Sequence, residues 1–171
     1  SSLVESLRTG SGASLHGAMG VGKTMLVRWM LAREASETTE VRWLQGTPGT
    51  RAIPFGTAAA AMARSGGGGD WADEADVAAR LRSALSRPDV VCVLDDLHWV
   101  DDHSVGVVQQ LLSSERPPLV LATVRDGERL SPAAVGLLRG PGLERLHLDA
   151  LDEAAIAELV TQLLGGPADA A

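Results

Sequence analysis

Apolar residues along this chain fall into two alternating patterns, short unbroken runs and longer stretches with helical spacing. Val90-Val91-Cys92-Val93-Leu94 is an unbroken run ending in Asp95-Asp96, and Leu119 to Val124 is another, ending at Arg125-Asp126. Continuous rather than alternating hydrophobicity predicts strands covered by helices on both faces. Ala13-Ser14-Leu15-His16 and Val41-Arg42-Trp43-Leu44-Gln45 read as further strands, the second closed by Gly46, Pro48 and Gly49. Leu143 to Leu148 alternates Leu with Glu, Arg and His, as an edge strand does.

Helical segments fill the intervals. Met25 to Arg33 is helix-compatible, and Pro54-Phe55-Gly56 opens an Ala-rich helix through about Ala63. Val77, Leu81 and Leu85 recur at i, i+4, i+8, which marks one buried helix face. Val105, Val108, Leu111 and Leu112 give the next helix, stopped by Pro117-Pro118. Ser131-Pro132 is an N-cap and first-turn pair opening a short helix through Leu138. Asp152 caps a last helix with Ile156, Leu159, Val160, Leu163 and Leu164 on one face, and Val4 to Arg8 reads as the end of a first one. Gly66 to Gly69 is a low-complexity loop, and the acids Asp70, Asp73, Glu74 and Asp76 after it read as a solvated helix start rather than metal ligands. Strands alternating with helices at this spacing predict a parallel sheet in three layers.

The first strand runs into Gly17-Ala18-Met19-Gly20-Val21-Gly22-Lys23-Thr24, which fits G-x-x-x-x-G-K-[ST], the phosphate-binding loop of nucleotide-binding proteins. Only glycine reaches positive φ cheaply, so such a loop turns its backbone N–H groups onto phosphate oxygens. Lys23 is the only lysine of the chain, the other fourteen basic side chains being arginine. Its compact ammonium suits the β- and γ-phosphates, and the Thr24 hydroxyl suits Mg²⁺. The helix dipole that follows favours an anion. We therefore assign nucleotide contacts to Gly17, Gly20, Val21, Gly22, Lys23, Thr24 and Met25.

Ligands of parallel sheets gather at the carboxyl ends of strands. Three such ends carry chemistry here: the phosphate loop, Asp95-Asp96, and Thr123 to Arg125. Asp95, with Thr24, is expected to serve the metal, holding a water on Mg²⁺ because that ion keeps most of its waters. Asp96 is expected to polarise the attacking water. Arg125 reads either as a γ-phosphate sensor or as a surface arginine in a turn with Asp126. His98 and Trp99 either pack the Asp95 loop or fill the core. Asp101 and Asp102 read as caps of the next helix. His16, His103 and His147 lack metal-ligand spacing.

With 171 residues, 45% of them hydrophobic, the chain can close one core, and residues 1–171 are read as a single domain. A net charge of −7 argues against a nucleic-acid surface on this segment. No apolar run approaches a membrane span, and a signal peptide's basic and apolar regions are missing at Ser1-Ser2-Leu3-Val4-Glu5. The single Cys92, in an apolar run, reads as a small hydrophobe in a reducing, cytoplasmic setting. The absence of an initial Met and the Gly-Pro-Ala tail suggest a piece excised from something larger.

Leu94-Asp95-Asp96-Leu97-His98-Trp99-Val100-Asp101 and Leu121-Ala122-Thr123-Val124-Arg125 together resemble the signalling ATPases of the STAND class. The ATPase domain of the large ATP-binding LuxR-type transcriptional regulators is most similar. Ile53-Pro54-Phe55-Gly56, the phosphate loop and Leu148-Asp149-Ala150-Leu151-Asp152-Glu153 carry weaker parts of the likeness. The resemblance implies a P-loop NTPase fold of the ASCE/AAA-like type and a switch that binds ATP or ADP with Mg²⁺ and hydrolyses slowly. It also implies partner domains in the parent chain, among them a C-terminal helix-turn-helix domain that reads DNA, and possible nucleotide-dependent self-association. Preference for adenine over guanine rests on the resemblance alone. Two other readings stand beside it, an oligomeric remodelling ATPase of the AAA+ type and a phosphoryl-transferring kinase. The first needs an arginine placed for a neighbour, such as Arg116, Arg139 or Arg145. The second lacks an arginine-rich lid.

Overall fold

A computed structural model describes residues 12–35, 38–66, 73–87 and 89–150. Strand β1 (Gly12–Gly17) leads through the glycine-rich loop into helix α1 (Lys23–Glu34). Then come β2 (Glu40–Gln45), the one-turn helix α2 (Pro48–Arg51), α3 (Gly56–Arg64) and α4 (Glu74–Leu85). β3 (Val90–Asp95) is followed by a 3₁₀ turn at Leu97–Trp99 and by α5 (Asp102–Leu112), and β4 (Leu119–Arg125) by α6 (Pro132–Arg139) and β5 (Leu143–His147). The expected helices at Val4 to Arg8 and after Asp152 lie outside the described residues.

All pairings are parallel, and the sheet order is β2-β3-β4-β1-β5. The two runs read as covered strands, β3 and β4, are buried along nearly their whole length. Half-exposed β5 lies at one edge, as its alternation predicts, and β2 at the other. Period-2 geometry divides the apolar residues between two cores. On one face Ala13, Leu15, Val91, Val93 and Leu121 meet Val27, Met30 and Leu31 of α1. On the other, Cys92, Leu94, Val120, Ala122 and Val124 meet α3 to α6, including the predicted stripe Val77, Leu81 and Leu85. The expected three layers are therefore present. Cys92 is fully enclosed, and burial pushes its thiol up to about 12, so it is an inert hydrophobe at neutral pH.

Two local readings change. Gly46, Pro48 and Gly49 are not a plain turn, because Thr47 and Thr50 cap each other's backbone amides and close α2 as a single turn. Helix α3 starts at Gly56 rather than Pro54, since Phe55 adopts a left-handed backbone at its N-cap. The Asp73 carboxylate caps α4 by accepting from Ala75 N, in keeping with a solvated helix start.

Candidate functional site

Strand order decides the site. β4 lies between β1 and β3, so the phosphate loop, the Asp95-Asp96 end and Arg125 emerge side by side at one rim of the sheet. They line a cleft of about 410 Å³ together with His98 and Trp99. Every element of the expected constellation contributes: Gly20, Gly22, Lys23, Thr24 and Met25 from the loop and α1, Asp96 after β3, and Arg125 at the end of β4. Asp95 lies beneath, bonded to Thr24. Gly17 and Val21 do not line the cleft; they pack against each other within the loop.

Gly20 and Gly22 hold φ of 75° and 98°, where a side chain would be strained. A Cβ on Gly17 would meet the Leu148 carbonyl at 2.5 Å. Gly22 is the N-cap of α1, so no side chain caps this helix, and its first turn carries no acid. The N–H groups of that turn are left for an anion. Most of the described helices are finished differently: Thr47, Asp73, Asp101 and Ser131 cap α2, α4, α5 and α6 with side-chain oxygens.

Lys23 belongs to the first turn of α1, one residue pair earlier than the predicted helix start. Although the loop itself is exposed, Lys23 is buried and donates to the carbonyls of Gly17 at 2.9 Å and Ala18 at 2.7 Å. Those bonds fold the ammonium back over the loop.

Asp95 is 1% exposed, and a single oxygen, Oδ1, accepts two hydroxyl bonds. Thr24 donates from α1 at 2.8 Å and Thr123 from β4 at 2.8 Å. Thr123, which is fully buried, also accepts from Asp96 N at 2.8 Å. One hydroxyl therefore holds both acids in register. Asp96 leaves the strand with a left-handed backbone, φ 53° and ψ 58°, which turns the chain toward the cleft and away from the direction of Asp95. Sequence reading named Thr123 only as part of a strand end; its spacing from the acids along the chain gives no hint of the bond.

Arg125 reaches two other side chains. Its Nη1 is 3.3 Å from Glu128 Oε1, and its Nη2 donates toward Met19 Sδ at 2.6 Å, bridging from β4 to the phosphate loop. Asp126, expected as its turn partner, instead approaches His147 at 3.8 Å. His98 is buried at 3% exposure, its ring 5.3 Å from that of Trp99, and Arg51 stands over Trp99 at 5.4 Å. Burial holds the His98 ring below its ordinary range.

The segment after the acids is locked to the segment after β2. Asp101 accepts four hydrogen bonds: from Phe55 N and Ser104 N on Oδ1, and from Thr57 N and Ser104 Oγ on Oδ2. It does cap α5, as expected, and it additionally supplies the amides at the start of α3, which lack a cap of their own. Asp102 is exposed in the first turn of α5. At Gly46 the two segments touch backbone to backbone, since a Cβ there would lie 2.5 Å from Trp99 C and 2.7 Å from Asp96 O. Ile53-Pro54-Phe55-Gly56 and the Asp95-to-Asp101 stretch are thus one physical unit.

Solved structures share this architecture. The chain superimposes on Cdc6p from Pyrobaculum aerophilum with a TM-score of 0.63 and 21% identity, over 98% of this chain and 48% of that one. Against the Aeropyrum pernix ORC1 protein, solved in complex with DNA, the TM-score is 0.64 and the identity 21%, over 96% and 47% of the two chains. The Thermotoga maritima RuvB Holliday junction branch migration motor gives 0.54 at 16% identity, over 95% and 47%. The chain therefore spans about half the length of these structures. No curated protein matches it in sequence. The model for the AAA ATPase domain does match, over residues 1–122, a stretch that takes in the phosphate loop, the Asp95 strand end and the beginning of β4. By that match and by its P-loop NTPase fold, the chain belongs to the AAA ATPase domain family.

Proposed function

We propose that this domain binds Mg-ATP and hydrolyses it slowly, as the nucleotide switch of a bacterial LuxR-type transcriptional regulator of the STAND class. One observation carries the nucleotide part: the uncapped N-terminus of α1 and Lys23 line a cleft, and beneath it a buried carboxylate accepts from Thr24. The loop residues Gly17 to Met25 would surround the phosphates. Thr24 and Asp95 fit a magnesium ion, because the Thr24 proton is directed to Asp95 and its lone pairs remain for a hard cation. When bound, Mg²⁺ neutralises charge on the β- and γ-phosphates. Asp96, turned into the cleft, orients and accepts a proton from the attacking water. Arg125 approaches the γ-phosphate from β4.

The regulator part is supported by the Asp-Asp-Leu-His-Trp stretch and its acid Asp101, which together latch two segments that flank the site. Domain rearrangement needs such rigid coupling between nucleotide and surface. Its other domains, including one that reads DNA, belong to the parent chain. A second reading, an oligomeric remodelling ATPase, draws support from the exposure of Arg116, Arg139 and Arg145, all open to a neighbouring copy. Mixing arginine variants with wild-type protein separates the two, since a ring loses activity disproportionately and an isolated switch does not.

Calorimetric titration with Mg-ATP and Mg-ADP, with Lys23→Ala as control, tests the nucleotide reading. Binding is expected in the wild type and lost in the variant; unchanged ATP affinity in the variant sinks it. Asp96→Asn is expected to slow turnover more than it weakens binding. An equal loss of both would make Asp96 a structural group or a metal partner instead.

A further inference from the structure

Arg125 spans the cleft mouth already engaged. Glu128, three residues on, holds one end of its guanidinium, and Met19 of the phosphate loop the other. Both members of the Arg125–Glu128 pair are about one-third exposed, at 32% and 33%, so the pair is neither locked in the core nor fully in water. A carboxylate on this arginine presents the same chemistry as a phosphate oxygen. Any anionic group that reaches Arg125 from the phosphate loop must displace Glu128 or share with it.

His98 stands close by and is incomplete. Its Nδ1 is shut off from solvent and has no hydrogen-bond partner, an unusual state for a buried polar atom. Charges reach the ring from several elements: Asp96 and Glu128 on the acidic side, Arg125 and Arg51 on the basic side. His98 lines the same cleft as Arg125, so a carboxylate released from that arginine would carry its charge toward a ring whose Nδ1 lacks a partner.

We infer that Glu128 sets the ATP-over-ADP preference of this site by competing with the terminal phosphate for Arg125, and that His98 receives Glu128 when Arg125 leaves it. The inference rests on the nucleotide reading above. A diphosphate ends short of Arg125 and leaves the pair intact. A triphosphate offers three charged oxygens and draws the guanidinium away. The exchange Glu128–Arg125 to Glu128–His98 then offsets part of what breaking the pair costs. Partly exposed pairs contribute little, so the expected effect on affinity is about two- to fivefold.

The experiment titrates Mg-ATP and Mg-ADP into wild type, Glu128→Gln, Arg125→Ala, the double variant and His98→Phe, with thermal melts to show that each is folded. Glu128→Gln is expected to tighten ATP by about two- to fivefold with ADP unchanged. In the Arg125→Ala background the same substitution is expected to do nothing. His98→Phe, which keeps the ring volume, is expected to lower the ATP/ADP ratio about twofold by removing the second partner. Equal shifts for both nucleotides, or a Glu128→Gln effect that survives without Arg125, overturn the inference while leaving the nucleotide site standing. A wild type that takes neither nucleotide overturns that reading and this inference with it.

Discussion

The hydroxyl of Thr123 donates to Asp95 Oδ1 across adjacent strands at 2.8 Å, while its lone pair accepts the Asp96 amide at 2.8 Å. One fully buried side chain thus fixes the acid beneath the cleft and the acid that opens into it. Thr123→Val keeps shape but strands the Asp96 N–H and takes one of two donors from Asp95. The expected cost is about 1–3 kcal/mol of stability by urea unfolding, with Thr123→Ser recovering most of it. The same variant is expected to weaken the magnesium dependence of nucleotide binding, and Mg²⁺ titrations identical to wild type would show that Thr123 is only a core residue.

Gly46 permits the contact between the end of β2 and the 3₁₀ turn after Asp96. Its missing Cβ is the gap into which Trp99 C, Val100 N and Asp96 O fit, at 2.5 to 2.7 Å. Those are backbone atoms and cannot swing aside. Gly46→Ala must shift the turn that carries Asp96 and His98, at about 1–3 kcal/mol of overpacking. Turnover is expected to fall along with the thermal midpoint; a normal midpoint together with normal turnover would refute the close approach.

Asp101 joins chain segments that are 46 residues apart through Phe55 N and 44 apart through Thr57 N. Being 2% exposed, it has these donors, rather than water, to satisfy its oxygens. Asp101→Asn turns an acceptor into an NH₂ group that faces N–H and O–H donors, so at least one bond is replaced by a repulsion. We expect a loss of about 2–4 kcal/mol. Chemical denaturation with an unchanged m-value would report a folded state weakened in this way, and a loss below about 0.5 kcal/mol would mean the latch is dispensable.

The fold was legible because its strongest signals are local. Five apolar or alternating runs each became a strand, and continuous Val90 to Leu94 and Leu119 to Val124 took the covered positions. The glycine spacing around Lys23 marked the loop, and Ser131, Asp73 and Asp101 marked helix starts through ordinary cap chemistry. What stayed hidden depends on tertiary neighbours. Thr123 acts through the pairing of β4 beside β3, and Glu128 through a loop that folds back on Arg125. Neither relation has a chain spacing that distinguishes it from chance. Gly46, Pro48 and Gly49 did close the strand, but the one-turn helix at Pro48 went unread because Pro-Gly outweighs a Thr-x-x-Thr capping box when the two coincide. The burial of Lys23 was hidden too, because the loop carbonyls that accept from it leave no trace in side-chain pattern.

His16 on β1 is buried, with Nε2 3.2 Å from Ser14 Oγ. Burial first, and Arg145 second, hold its pKa below the ordinary 6.5; Asp126 opposes the shift without reversing it. Below 6.5 the unfolded chain therefore binds more protons at this position than the folded one does. Unfolding free energy must rise with pH across the window from the lowered value up to 6.5, and the contribution is complete above it. His98, lowered by burial as well, adds in the same direction. Acidification from about pH 7.5 to about pH 5.5 is thus expected to reduce the thermal midpoint, with a slope of at most about 1.4 kcal/mol per pH unit for each histidine. His16→Gln keeps a polar partner for Ser14 but cannot titrate, so its midpoint should fall less steeply than that of the wild type over this range. Parallel pH profiles for the two proteins by scanning calorimetry would assign the acid sensitivity elsewhere, with His98→Phe as the next variant to compare.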